Sequence, residues 1–427
     1  MRKALLCIGA LLWFIQGILA QSTEEVKKIA AELSSEKYHG RGYEKQGDKI
    51  AAKYIATEFT KAGLLPAWDS ISQPFKLGVN LFEGNTSFAI DGKELIPGKD
   101  FLVKKSCPKI SQTLQIIEIP NEVLSNPEKL KEYKEMNLMD KVVVIDYDEA
   151  IDRLTKHDTI PKGYFNLHCK AYVMLTDKQL RWFSMPGNAI KETIGINLSK
   201  KAYKKGSKEV KIDVQSTFIN DYTTSNLAGI IKGKTNPEKY VVVCGHYDHL
   251  GMHGTTTYFP GADDNASGIG SIIELARYYA KPENQPSCSI IFAAFSGEEM
   301  GLLGATHFAN NPPVPLESIV SIINLDMVGF GKKDFIAFNG NSEPELMSQL
   351  ETAKAAKDID ITLTPNNNIN QSDHFPFSEK KVHTVFLTSG VKDSPYYHSV
   401  DDTMDNTTFA KAEELMKLII GYIESVK

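Results

Sequence analysis

Three segments decide how this sequence is read: VVVCGHYDHLG (residues 241–251), GADDNASGIG (261–270) and FSGEEMGLLGA (295–305). The apolar runs VVVC and SCSIIFAAF (287–295) are continuous rather than alternating, which is how a strand buried on both faces reads. NLAGIIKG, SIVSIINLDMV, DFIAFNG and HTVFLTSG add further strands, and helical patterns occupy 267–281 and 408–426. Strands alternating with helices predict an α/β fold, a three-layer sandwich around a central, largely parallel mixed sheet. Ligands of such sheets gather at the C-terminal ends of the strands. His246, Asp248, Asp264, Glu298 and Glu299 fall there, just past apolar runs or at the opening of a helix.

Upstream, Arg2 and Lys3 precede an apolar run from Ala4 to Leu19, and Ala20 offers a cleavage point. Residues 1–20 therefore read as a secretory signal peptide, with a mature chain starting at Gln21 in a secreted or periplasmic location. The run is short for a bilayer span, so no stable membrane insertion is expected after cleavage. Losing Arg2 and Lys3 takes the formal charge from −5 to −7, which argues against a nucleic acid partner. Cys107, Cys169, Cys244 and Cys288 remain, too few for a disulfide-built scaffold. Export would allow a Cys107–Cys169 bridge, while Cys244 in its apolar strand reads as a buried thiol.

The chain divides into four parts: the leader, a helical N-terminal portion of the catalytic domain (21–74), an inserted β-rich subdomain (75–220) and the main catalytic portion (221–427). In the second part, residues 48–62 place Ile50, Ala51, Tyr54, Ile55 and Phe59 on one helical stripe that ends at Gly63. The third part contains short β-like runs such as LQIIEIP and KVVVIDY, with no cluster of histidines and acids. It reads as a lid or a substrate-shaping module.

His246 and Asp248 lie two apart, so in an extended chain both side chains face one way, and Asp248 can hold the second ring nitrogen of a metal-binding His246. Asp263 and Asp264 precede a helix, where acids serve as caps; a carboxylate there can also bridge two cations. Glu298 and Glu299 are adjacent carboxylates at a strand end. A cation relieves their repulsion, and one can then serve as general base. Asp326 closes a hydrophobic strand, where a lone acid needs a partner or a metal. His398 has Asp402 four residues on as an orienting partner.

With these motifs the sequence resembles the co-catalytic dizinc aminopeptidase family, which includes secreted bacterial leucyl aminopeptidases and has glutamate carboxypeptidases and glutaminyl cyclases as relatives. The resemblance is specific over 225–405 and weaker over 40–66. It implies a hydrolase with two Zn2+ per chain, acting on peptides with a free N-terminus. It implies His246 and Asp326 as ligands of one zinc, Glu299 and His398 of the other, Asp264 as the bridge, Glu298 as general base, Asp248 as the acid that orients His246, and Tyr397 as an oxyanion donor or a packing ring. Single-zinc cyclase chemistry, glutamate-type carboxypeptidase action and a metal-free binding module are the alternatives. Outside this set, His249 and His253 read as surface residues and His307 as structural. Asp373 and His374 read as shapers of a specificity pocket walled by Phe375 and Phe377.

Overall fold

The computed structural model describes residues 23–124, 126–148, 168–184, 190–331, 334–389 and 394–426. The expected leader, 1–20, lies outside them. Among the described residues a nine-stranded sheet forms from β1 (Leu65–Pro66), β2 (Ser72–Leu81), β3 (Thr217–Ile231), β4 (Asn236–His246), β5 (Cys288–Phe295), β6 (Ile319–Leu325), β7 (Asp334–Phe338), β8 (Thr362–Pro365) and β9 (Thr384–Thr388). Its order is β1-β3-β5-β4-β6-β9-β7-β8, with β2 alongside β3. The centre, β5-β4-β6-β9, is parallel, and the β3/β5 and β9/β7 pairings are antiparallel.

Strand alternation sends neighbouring side chains to opposite faces. Val241 and Val243 pack beneath α1 (23–33), α2 (Gly47–Lys61), α3 (Gly268–Tyr279), α5 (Pro344–Ala356) and α6 (Ala412–Ser425). Val242 and Cys244 face the opposite core, which holds Phe308 of α4 (Leu303–Asn310) together with Phe295 and Phe377. Three layers result. The helix expected over 48–62 occupies Gly47–Lys61. No described helix is long and apolar enough to cross a membrane.

An eight-stranded sheet of its own occupies the chain between Thr86 and Val214, with four parallel strands at its centre. The division expected at 74/75 falls inside β2, which pairs with β3 of the main sheet from Ser72 to Leu81. Cys107 and Cys169 are free and buried in separate apolar clusters of this second sheet, so the anticipated bridge is not formed.

The two sheets are fastened together by buried polar contacts. Lys105 Nζ lies 3.3 Å from Glu44 Oε1, donates to the Leu250 carbonyl at 2.8 Å and sits 4.1 Å from the Trp182 ring centre. Val103 N–H donates to His253 Nε2 at 2.9 Å, and Trp182 N–H donates to the His398 carbonyl at 2.9 Å. His253 is therefore a buried acceptor among Phe82, Phe101 and Trp182 rather than a surface residue.

Candidate metal centre

Strand ends deliver the site. His246 terminates β4, Glu298 and Glu299 follow β5, and Asp326 follows β6. Asp264 lies in the turn that opens α3, and His398 in a loop before α6, at a left-handed φ of 56°. A non-glycine residue held there marks backbone over-determined by its surroundings. Here the surroundings include the Trp182 N–H that binds the His398 carbonyl.

The side chains converge on Asp264. His246 Nε2 is 3.3 Å from Asp264 Oδ1 and 3.3 Å from Asp326 Oδ1. His398 Nε2 is 3.2 Å from Asp264 Oδ2 and 3.2 Å from Glu299 Oε2. His249 Nδ1 is 2.8 Å from Glu299 Oε1 and 3.8 Å from Asp264 Oδ2. Two triads, His246–Asp264–Asp326 and His249–Asp264–Glu299, each bring their donor atoms within 4.8 Å of one another. Asp264 Oδ2 is buried without a hydrogen-bond partner. A buried, mixed imidazole and carboxylate set with one shared acid fits a pair of divalent cations of the zinc type.

The electrostatics follow from that crowding. Burial alone would raise the Asp264 carboxyl, but His249, His246 and His398 outweigh it and hold it well below the usual range. Burial likewise opposes ionisation of Glu299, yet His398 and His249 carry it down to about 2. His398 is depressed by burial and then lifted to about 10 by Glu299 and Asp264. Glu298 goes the other way: burial, with Glu299, Asp373 and Asp326 adding to it, pushes its carboxyl up against the pull of His246.

Supporting contacts fix the orientation of these groups. His246 Nδ1 is held by the Asp248 main-chain carbonyl at 3.0 Å, whereas the Asp248 carboxylate stands 3.8 Å away. That carboxylate instead accepts from Glu298 N–H at 3.1 Å and Tyr43 O–H at 3.2 Å, so it orients the Glu298 segment. Asp402 does not reach His398. Its two oxygens accept from the N–H groups of Asp263 and Asp264 at 2.9 and 3.0 Å. Asp263 turns away to accept from the Gly329 and Phe330 N–H groups at 2.8 and 3.0 Å. Ser372 O–H donates to Asp326 Oδ2 at 2.7 Å.

The cleft over the triads measures about 610 Å3 and is lined by Glu298, Tyr397, Phe183, Leu302, Met327 and Phe386 among others. The Tyr397 ring stacks on His398 at 3.7 Å, and Phe183, from a loop between two strands of the second sheet, lies 4.9 Å from the same imidazole. The pocket walls expected from Phe375 and Phe377 are elsewhere: Phe377 is buried against Phe295 and Phe308. His374 is buried, and its Nε2–H donates to Asn368 Oδ1 at 2.9 Å. Asp373 is buried with both oxygens lacking a hydrogen-bond partner. His249, read as a surface residue, is buried inside the second triad. Its signal was the second histidine of HYDHLG, three residues after His246.

The model of peptidase family M28 matches residues 226–423. A probable leucine aminopeptidase of Arthroderma otae is 30% identical over 226 residues, covering 51% of this chain and 60% of that protein. The chain thus spans about three fifths of the length of that curated relative. The zinc aminopeptidase of Bacillus subtilis superposes with a TM-score of 0.70 at 20% identity, over 95% of this chain and 96% of that one. An aminopeptidase from Aneurinibacillus sp. strain AM-1 gives 0.60 at 17% identity, over 94% and 93%. These two likenesses show that both sheets, not the main one alone, follow a fold already seen. Residues 226–423, which carry the converging histidines and acids, are thus similar to peptidase family M28.

Proposed function

We propose that the protein is an exported zinc aminopeptidase that removes N-terminal residues from peptides, with two zinc ions per chain. The observation that carries this reading is the sharing of Asp264 between two buried triads, with Glu298 beside them in an open cleft. His246 and Asp326 would hold one ion, Glu299 and His398 the other, with His249 added to the second set and Asp264 common to both. When bound, the ions would lower the pKa of water toward neutrality and polarise the scissile carbonyl. Glu298 takes the proton from the attacking water and returns it to the leaving amine. Asp248 fixes Glu298 through its main-chain N–H. Tyr397 stays protonated, since burial and the nearby carboxylates raise its hydroxyl well above its usual value, and so donates to the developing oxyanion. The free N-terminus of the substrate rests among the acids of the same cleft. The apolar leader at 1–20 supports a secreted or periplasmic location.

Elemental analysis run beside hydrolysis of aminoacyl-p-nitroanilides tests this. About two zincs per chain and release abolished by chelator are expected. One zinc without hydrolysis, or no metal at all, would overturn the reading.

A further inference from the structure

A second cavity, of about 370 Å3, opens in the eight-stranded sheet beside the metal cleft. Trp182 and Leu102 contribute to its apolar surface, and Phe183 is common to both spaces. Four cationic side chains line it, Lys104, Lys105, Lys178 and Arg181, and no carboxylate does. Lys105 is neutralised by Glu44. Lys104 and Arg181 have no carboxylate partner among the described residues: Lys104 lies 5.2 Å from the Tyr172 ring centre, and Arg181 lies 5.7 Å from that of Tyr397. Lys104 is half-buried, and that burial lowers its ammonium below the usual value with no acid to offset it. A half-desolvated cation without a partner favours any anion that can reach it. Arg181 stands where the cavity meets Tyr397, a residue of the metal cleft. In a chain of net negative charge, this local excess of positive charge is adjacent to the site.

We propose that this cavity receives a carboxylate of the peptide substrate, in the first instance its C-terminal carboxylate, so that the enzyme favours short peptides with a free C-terminus. The proposal rests on the aminopeptidase reading for what lies in the metal cleft. Lys104 and Arg181 supply the charge, and Phe183 separates the anchored end from the end being cleaved. An acidic side chain near the C-terminus offers the same chemistry.

The test is calorimetric binding to metal-loaded Glu298→Gln protein of three peptides: Leu-Gly-Gly as the free acid, Leu-Gly-Gly amide and Leu-Gly-Glu amide. The free acid is expected to bind roughly tenfold more tightly than its amide, and Lys104→Gln in the same background to erase the difference. Tight binding of Leu-Gly-Glu amide, lost in Lys104→Gln, supports the cavity and identifies a side-chain carboxylate as sufficient. The ratio of kcat/KM for acid over amide in otherwise wild-type protein gives a second readout and should fall about tenfold in Lys104→Gln. Equal binding of acid and amide, or a preference that survives in both Lys104→Gln and Arg181→Gln, overturns the proposal. Acid-selective binding without hydrolysis by the wild-type protein would sink the aminopeptidase reading and keep the anion site. Binding without acid preference, accompanied by hydrolysis, would do the reverse. No binding of any peptide would overturn both.

Discussion

Arg41 donates from its guanidinium to the main-chain carbonyl of Asp264 at 3.0 Å, the residue on which both triads converge. The same side chain donates to the carbonyls of Leu33, Tyr247, Pro260 and Gly261, and it is fully buried. One arginine therefore ties the N-terminal segment to the loop after β4 and to the turn before α3. Arg41→Leu removes a donor from five buried carbonyls, of which that of Gly261 still accepts from Ala266 N–H at 3.2 Å, and should destabilise the fold by at least about 3 kcal/mol in urea unfolding. Arg41→Lys should recover only part of this, since an ammonium cannot reproduce the planar fork. Stability unchanged in both variants would refute the tie.

Glu298→Gln should retain its metal and lose at least about a hundredfold in turnover, because only the proton-transfer group is removed. Asp264→Ala should lose metal from both triads. Metal analysis of the two variants separates the roles: two zincs retained in Asp264→Ala would show that Asp264 is not the shared ligand.

His249→Ala should weaken binding at the Glu299 side by about 10- to 100-fold, whether the imidazole ligates directly or only holds Glu299. Competition with a zinc-sensitive dye reads this as one weakened equivalent and one unaffected. Two equivalents of unaltered affinity would return His249 to a packing role.

Asp48 gives a pH dependence that can be separated from the metal site. It is buried, accepts from Tyr222 and Thr224, and burial pushes its carboxyl up to about 6 despite those bonds. A carboxyl raised in the folded state stabilises fully below its unfolded value, and that contribution is lost as pH rises through the folded value. Wild-type stability measured against Asp48→Asn should thus fall between about pH 4 and pH 6, by on the order of 3 kcal/mol for a two-unit shift. A pH-independent difference would show that Asp48 titrates normally.

The sheet and the main triad residues were legible because His246, Glu298, Glu299 and Asp326 sit at strand ends, where continuous apolar runs stop and charged residues begin, and Asp264 opens a helix. His249 was not. In an extended chain it faces away from His246, and only the irregular chain after β4 brings its Nδ1 within 2.8 Å of Glu299. Sequence spacing pairs Asp402 with the nearer histidine, whereas its partners are main-chain N–H groups nearly 140 residues earlier. Arg41 binds carbonyls, which carry no side-chain signature, so its sequence context gave no sign of its reach. Phe183 lies in a loop of the inserted portion, where no cluster of histidines and acids marked an approach to the cleft.

The buried Glu44–Lys105 pair gives the molecule a thermodynamic unity that its two sheets alone would not. Separating the sheets would leave a carboxylate and an ammonium each stranded against apolar surface, including the ring of Trp182. Neither sheet can then melt first at low cost. Heat should dissolve both in one cooperative transition, as it does a single domain, even though the chain lays them down as two.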